Sequence, residues 1–161
     1  MTDLPGDATI HEALAAAVGD VLESMFFIQA LGEASETHEA EAVVVEIRFD
    51  GDPPGLFQMR LASGAAQCIA ADFLGEDAAS LTERQSADVA LELANMICGA
   101  ALSRLERSAC FRLDSPRIVS AGGLAEDAKA TRFTVETGTG PLTAAIRLER
   151  RTCPATVEYV S

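Results

Sequence analysis

The sequence predicts an α+β fold in which two long helices pack on an antiparallel β-sheet, in the order helix, hairpin, helix, hairpin. Three observations predict it. Residues 86–104, SADVALELANMICGAALSR, are apolar around most of a helical wheel, which marks a largely buried helix. Two pairs of short segments alternate apolar and polar residues, each pair joined by a Gly/Pro turn. The 161 residues are 48% hydrophobic and 23% charged, enough for one domain, residues 1–161, with a sizeable core.

The elements follow in chain order. Thr9, with Glu12 three residues on, predicts a capping box opening a helix over about 10–28. Its apolar face is Leu14, Val18, Val21, Leu22 and Met25; Phe26 and Phe27 close it and Gly32 stops it. Residues 32–42 are rich in glutamate and read as a loop. Val43 to Asp50 alternates, with Val43, Val45, Ile47 and Phe49 on one face. Gly51-Asp-Pro-Pro-Gly55 turns the chain, and Leu56 to Ala62 returns with Phe57, Met59 and Leu61 inward. Ser63 is the expected cap of a short helix that Gly75 ends after Leu74. Thr82 and Gln85 form a second capping box, and the long helix runs to about Ala109.

Pro116 starts a new extended piece over 117–120, and 122–129 reads as loop. Residues 132–137 and 142–149 form the second hairpin, around Gly138-Thr-Gly-Pro141. A short strand is expected near 157–160. The repeated helix-then-hairpin order hints at an internal duplication, without clear identity between the halves.

The polar residues of the long helix are not scattered. Asp88, Glu92, Asn95, Gly99 and Ser103 fall at i, i+4, i+7, i+11 and i+15, in one narrow stripe. Gln85 and Glu106 extend it, although Gln85 is also the capping residue. A plain solvent edge looks similar. Two details point further. Asn costs up to about 0.7 kcal/mol against Ala in a helix interior. Gly99, one turn beyond Asn95, costs about 1 kcal/mol, and its bare backbone lets another surface approach.

Composition narrows the function classes. A net charge of −13 disfavours nucleic acid and anionic membranes, and suits a basic protein patch. Residues 1–12 have neither a basic nor an apolar segment, so no signal peptide is expected. No apolar run is long enough to span a membrane. Cys68, Cys98, Cys110 and Cys153 show no paired spacing, and Cys68 and Cys98 read as small core residues, so a reducing cytoplasm is expected. His11 and His38 have no ligand-like neighbours at helical spacing, so no metal is expected. There is no nucleophile–base set and no phosphate loop. Asp88 and Glu92 could act as acid and base, yet such pairs also occur on solvated helix faces.

Asp88-x3-Glu92-x2-Asn95, followed by Pro116, resembles the signature of the CheX/CheC/FliY chemotaxis phosphatases. There an Asp or Ser, a Glu and an Asn lie at this spacing on a long helix, with a Pro about twenty residues beyond. ELANMICGAA is similar to that family's ELxNxxxG run, and DVLESMFF to its first helix. CheC-type members often carry two such helices. Here Glu23 is present, but Phe26 stands where a second Asn would be, so the chain looks more like CheX.

The resemblance implies a phosphatase acting on a phosphorylated CheY-type response-regulator receiver domain. It implies Asn95 orienting the attacking water, and Glu92 pairing with the receiver's lysine and docking the helix. Asp88 matches the first position, where it would orient Glu92 or touch the partner. Gly99 as a point of close approach is an inference from the residues, not part of the motif, and Pro116 reads as structural. The protein needs no cofactor of its own, because the receiver supplies Mg²⁺. A homodimer joined sheet edge to sheet edge is the family's expectation. Two other readings stay open: a non-catalytic receiver-binding adaptor on the same fold, and an acidic structural protein whose stripe is only a solvent edge.

Overall fold

The computed structural model describes residues 4–34, 41–105, 110–120 and 127–149. The chain folds as three helices on one antiparallel sheet. Helix α1 is Asp7–Met25, strand β1 Ala42–Asp50, β2 Gly55–Ala62, α2 Ser63–Leu74 and α3 Glu83–Leu105. The sheet is completed by β3 (Arg112–Leu113), β4 (Arg117–Val119), β5 (Thr131–Glu136) and β6 (Pro141–Leu148). A single 3₁₀ turn, Ala78–Ser80, links α2 to α3.

Strand order is β3-β1-β2-β6-β5, with β4 also pairing β1. The two hairpins therefore meet through β2 and β6 at the centre, paired antiparallel from Gly55↔Leu148 to Leu61↔Leu142. Exchanging one hairpin for the other maps the four strands β1-β2-β6-β5 onto themselves, while β3 and β4 have no counterpart beside β5 among the described residues. The helices obey the same exchange. Helix α1 lies over β5 and β6, whereas α3 lies over β1 and β2. Each long helix thus covers the hairpin of the other half of the chain, and neither half can bury its apolar faces alone. Leu14, Leu22, Ile47, Phe57, Met59, Leu61, Leu93, Ile97, Leu102, Leu142 and Ile146 fill the space between the layers.

The second face of the sheet carries arginines. Leu56 and Gln58 point to that face yet are buried, Leu56 between its cross-strand neighbours Arg48 and Arg147 and Gln58 between Glu46 and Ala145. Long side chains can cover apolar surface while their charged heads stay wet. Arg147 bridges Asp127 (2.7 Å) and Glu149 (3.2 Å), and Arg117 pairs with Glu46 (2.9 Å). The Arg147 hydrogen bond, then the Lys129 backbone N–H, holds the Asp127 carboxyl below the usual carboxylate range.

Several local signals act as expected. The Thr82 hydroxyl accepts from the Gln85 N–H (3.1 Å), and the Gln85 carboxamide oxygen accepts from the Thr82 N–H (2.9 Å). Gly75 ends α2 in the left-handed region, at φ 69°. Pro116, which has no N–H, separates β3 from β4 along the edge of β1. Strand β3 itself was not expected. It is two residues long and pairs with Phe49 and Asp50 of β1, the Asp114 N–H beyond it donating to the Arg48 carbonyl (2.8 Å), contacts no local pattern announces. The strand expected near 157–160 and the end of the long helix at 106–109 lie outside the described residues, as do 122–126 of the expected loop.

Other expectations are corrected. Thr9 is not the cap of α1. The helix starts at Asp7, with Gly6 as N-cap and the Ile10 N–H bonded to the Gly6 carbonyl (3.1 Å). Asp7 lies in the first turn, where a carboxylate suits the helix dipole. Ser63 is the first residue of α2, and its cap is Ala62, without a side-chain bond. Helix α1 ends at Met25 rather than 28, because Phe27 takes the left-handed conformation (φ 55°) that Gly32 was expected to supply. The Ile28 N–H then closes back on the Leu22 carbonyl (2.8 Å).

A left-handed phenylalanine is costly, by roughly 1–2 kcal/mol. Phe27 is 88% exposed, so its ring recovers little by burial. Phe27→Gly is therefore expected to raise stability by about 1 kcal/mol, read as a higher urea midpoint at unchanged slope.

Candidate functional site

Helix α3 sorts its residues as its sequence demands. Val89, Ala90, Leu93, Ala94, Ile97, Cys98, Ala101 and Leu102 are buried against the sheet and α1. On the opposite side Asp88, Glu92 and Ser103 are exposed, while Asn95 and Gly99 are partly exposed. The stripe is thus one continuous surface line, centred on a carboxylate and a carboxamide one turn apart. Gln85 is committed to the capping box, and Glu106 lies outside the described residues.

The shoulders of this line escape a reading that follows polar residues alone. Leu91 lies about 40° beyond Asn95 on the wheel and Met96 about 40° beyond Glu92 on the other side, and both are only partly buried. The site is therefore a polar line with partly buried apolar flanks, Leu91 and Met96 also packing against the core. Their wheel positions are the signal that identifies them.

Asp88, Glu92 and Asn95 make no side-chain hydrogen bond or ion pair among the described residues. The other exposed charge near the C-terminal end of α3 is spent: Arg104 pairs with Asp20 of α1. A carboxylate and a carboxamide held on a rigid helix with unused acceptors and donors can take a cation and a water from outside. Among the described residues neither is bonded to a nucleophile. Cys98 is on the buried face, and burial pushes its thiol up to about 12, so it stays protonated. Cys68 is partly buried and Cys110 exposed.

Among the described residues a Cβ added at Gly99 would meet no atom within 4 Å beyond the helix's own backbone, so no packing among them requires glycine there. Gly19 of α1 has the same property. Both Gly→Ala changes are expected to stabilise the helix by about 1 kcal/mol. If another surface comes close over α3, Gly99→Ala should also weaken that contact, while Gly19→Ala should not. Denaturation and partner titration of the two variants together read this.

The corresponding line on α1 carries no second site. Glu23 is exposed, but Phe26 is buried and stacks on Phe73 of α2 with ring centroids 4.7 Å apart. His11 is used structurally, bonded to Glu33 (2.9 Å) and edge-on to Phe133. Among the described residues no three His, Cys, Asp or Glu side chains gather as a metal-holding group, and no helix is long and apolar enough to cross a membrane.

The family model of the chemotaxis phosphatase CheX matches residues 43–137, more than half of the chain and all of α3. No curated protein matches the sequence. Among solved structures, a chemotaxis protein CheX from Desulfovibrio desulfuricans superposes with a TM-score of 0.69 at 20% identity, covering 87% of this chain and 99% of that one. A chain of the CheX–CheY–BeF3–Mg²⁺ complex from Borrelia burgdorferi gives 0.68 at 16% identity, covering 86% and 97%. FliY from Thermotoga maritima gives 0.61 at 16% identity, covering 91% and 92%. At these identities the likeness is one of fold.

Proposed function

The chain belongs to the family of the chemotaxis phosphatase CheX, and from that premise we propose that it dephosphorylates a CheY-type response-regulator receiver domain through Glu92 and Asn95. The observation that carries this reading is the pair itself: an acceptor carboxylate and a carboxamide, one turn apart, open on a rigid helix and unpartnered within the described residues. The Borrelia burgdorferi neighbour, a CheX–CheY complex, supports a receiver as the partner.

The chemistry asks little of this chain. An aspartyl phosphate is a labile acyl phosphate, and the receiver brings its own Mg²⁺ and lysine, so this protein supplies no cofactor. Phosphoryl transfer depends mainly on position and electrostatics. Asn95 accepts a hydrogen from the water with its carbonyl oxygen and holds the water in line behind the phosphorus. The water oxygen bonds to phosphorus as the bond to the aspartyl oxygen breaks. Inorganic phosphate leaves, and the receiver's carboxylate is restored. Glu92 pairs with the receiver's lysine, a charge-assisted contact that sets the register of the helix. Asp88 borders the same contact, and Gly99 lets the partner's surface approach. A receiver partner implies a cytoplasmic location. A homodimer is part of the family's expectation.

The test is phosphate release from CheY-type receivers of the same organism, charged with acetyl phosphate in Mg²⁺. Catalytic amounts of the chain should accelerate release well beyond the receiver's own rate. Binding to the phosphorylated receiver without acceleration would replace this reading with an adaptor. Neither binding nor acceleration across those receivers would leave the stripe as a solvent edge.

A further inference from the structure

Four large exposed apolar side chains that are not part of the α3 stripe lie in, or next in sequence to, one aromatic contact. The stacking of Phe26 on Phe73 brings the C-terminal ends of α1 and α2 together. Around that contact Met25 is 48% exposed, Phe27 88%, Phe73 43% and Leu74 41%. Large apolar side chains left exposed around one contact are the raw material of an interaction site. Phe27 is the most telling of the four. It sits in the left-handed region, where glycine or asparagine is the stable choice, and its ring gains almost no burial. Stability within the chain does not account for the ring.

Charge selects the occupant. Glu23, Asp72 and Glu76 flank these residues and are all exposed. No lysine or arginine occurs in residues 1–47 or 61–83, the stretches that build both helix ends. A second copy of the chain would bring like-charged rims together, and an anionic bilayer would be repelled. A segment carrying apolar side chains beside Lys or Arg satisfies both the apolar centre and the acidic rim.

We infer that the joined ends of α1 and α2 are a docking site for a basic amphipathic segment of a partner protein, with Phe27 as its anchor. The site shares no residue with Asp88, Glu92 and Asn95, so its failure leaves the receiver reading untouched. The experiment titrates the ¹⁵N-labelled full chain with an 18-residue Leu/Lys amphipathic peptide and with its Leu/Glu counterpart. The Leu/Lys peptide should shift the amides of Met25, Phe27, Phe73 and Leu74. Phe27→Asn, which suits the left-handed backbone and keeps the fold, should weaken binding at least about tenfold. Leu74→Gln, at an exposed helix end, should weaken it as well. Shifts centred on the α3 stripe would overturn the inference. So would equal binding of the Leu/Glu peptide, or an affinity that Phe27→Asn leaves unchanged. Self-association of the chain that Phe27→Asn abolishes would assign the patch to a second copy instead. Partition onto neutral phosphatidylcholine vesicles that Phe27→Asn abolishes would assign it to a membrane.

Discussion

Asn95→Ala is expected to return a phosphorylated receiver to its own spontaneous rate of phosphate loss, a fall of about 100-fold or more in turnover. The same change should make the chain more stable. Asn95 is partly exposed in the interior of a 23-residue helix and makes no hydrogen bond through its side chain among the described residues. Alanine there relieves an unfavourable helix propensity, worth about 0.5 kcal/mol. A variant that gains stability and loses activity cannot have lost activity by unfolding. Binding to the phosphorylated receiver should survive, because the docking charge on Glu92 is intact. Single-turnover dephosphorylation, a urea titration and a binding isotherm on one preparation read all three. If Asn95→Ala dephosphorylates at the wild-type rate, the water is held by another group and the mechanism fails.

Glu92→Gln should act on the other side of the reaction. It keeps the shape and removes the charge that meets the receiver's lysine. A hydrogen bond to a charged group contributes about 1.5–3 kcal/mol, so KM should rise by roughly 10-fold or more, with a smaller change in kcat. Raising the salt should weaken wild-type docking and narrow its difference from Glu92→Gln, since screening removes the term the variant lacks. Glu92 is exposed and unpartnered among the described residues, so the fold's stability should move by no more than about 0.5 kcal/mol. An unchanged KM at low salt would remove Glu92 from the interface.

The candidate site is legible in the sequence because its spacing is helical and local. One turn separates Glu92 from Asn95, and the apolar residues between them leave the helix one way to face. The Thr82–Gln85 capping box and the Gly75 stop are legible for the same reason: each is an interaction within three or four residues. The start of α1 is not, because Gly6 caps it without a side-chain bond, and the capping-box pattern of Thr9 and Glu12 lies inside the helix. Its end is hidden because a phenylalanine does what a glycine usually does.

The sequence by itself determined the helices, the two hairpins, their faces and the polar line on α3, since period-two and period-3.6 patterns record which side of each element is kept from water. The tertiary structure alone decided which element covers which. Helix α1 crosses to the second hairpin and α3 to the first, β2 meets β6 at the centre, and β3 joins the edge of β1 over two residue pairs. It also joined Phe26 to Phe73, and so set four exposed apolar side chains around one contact. An apolar face specifies that it must be covered and leaves open by what. That choice belongs to backbone pairing and close packing between residues far apart in the chain.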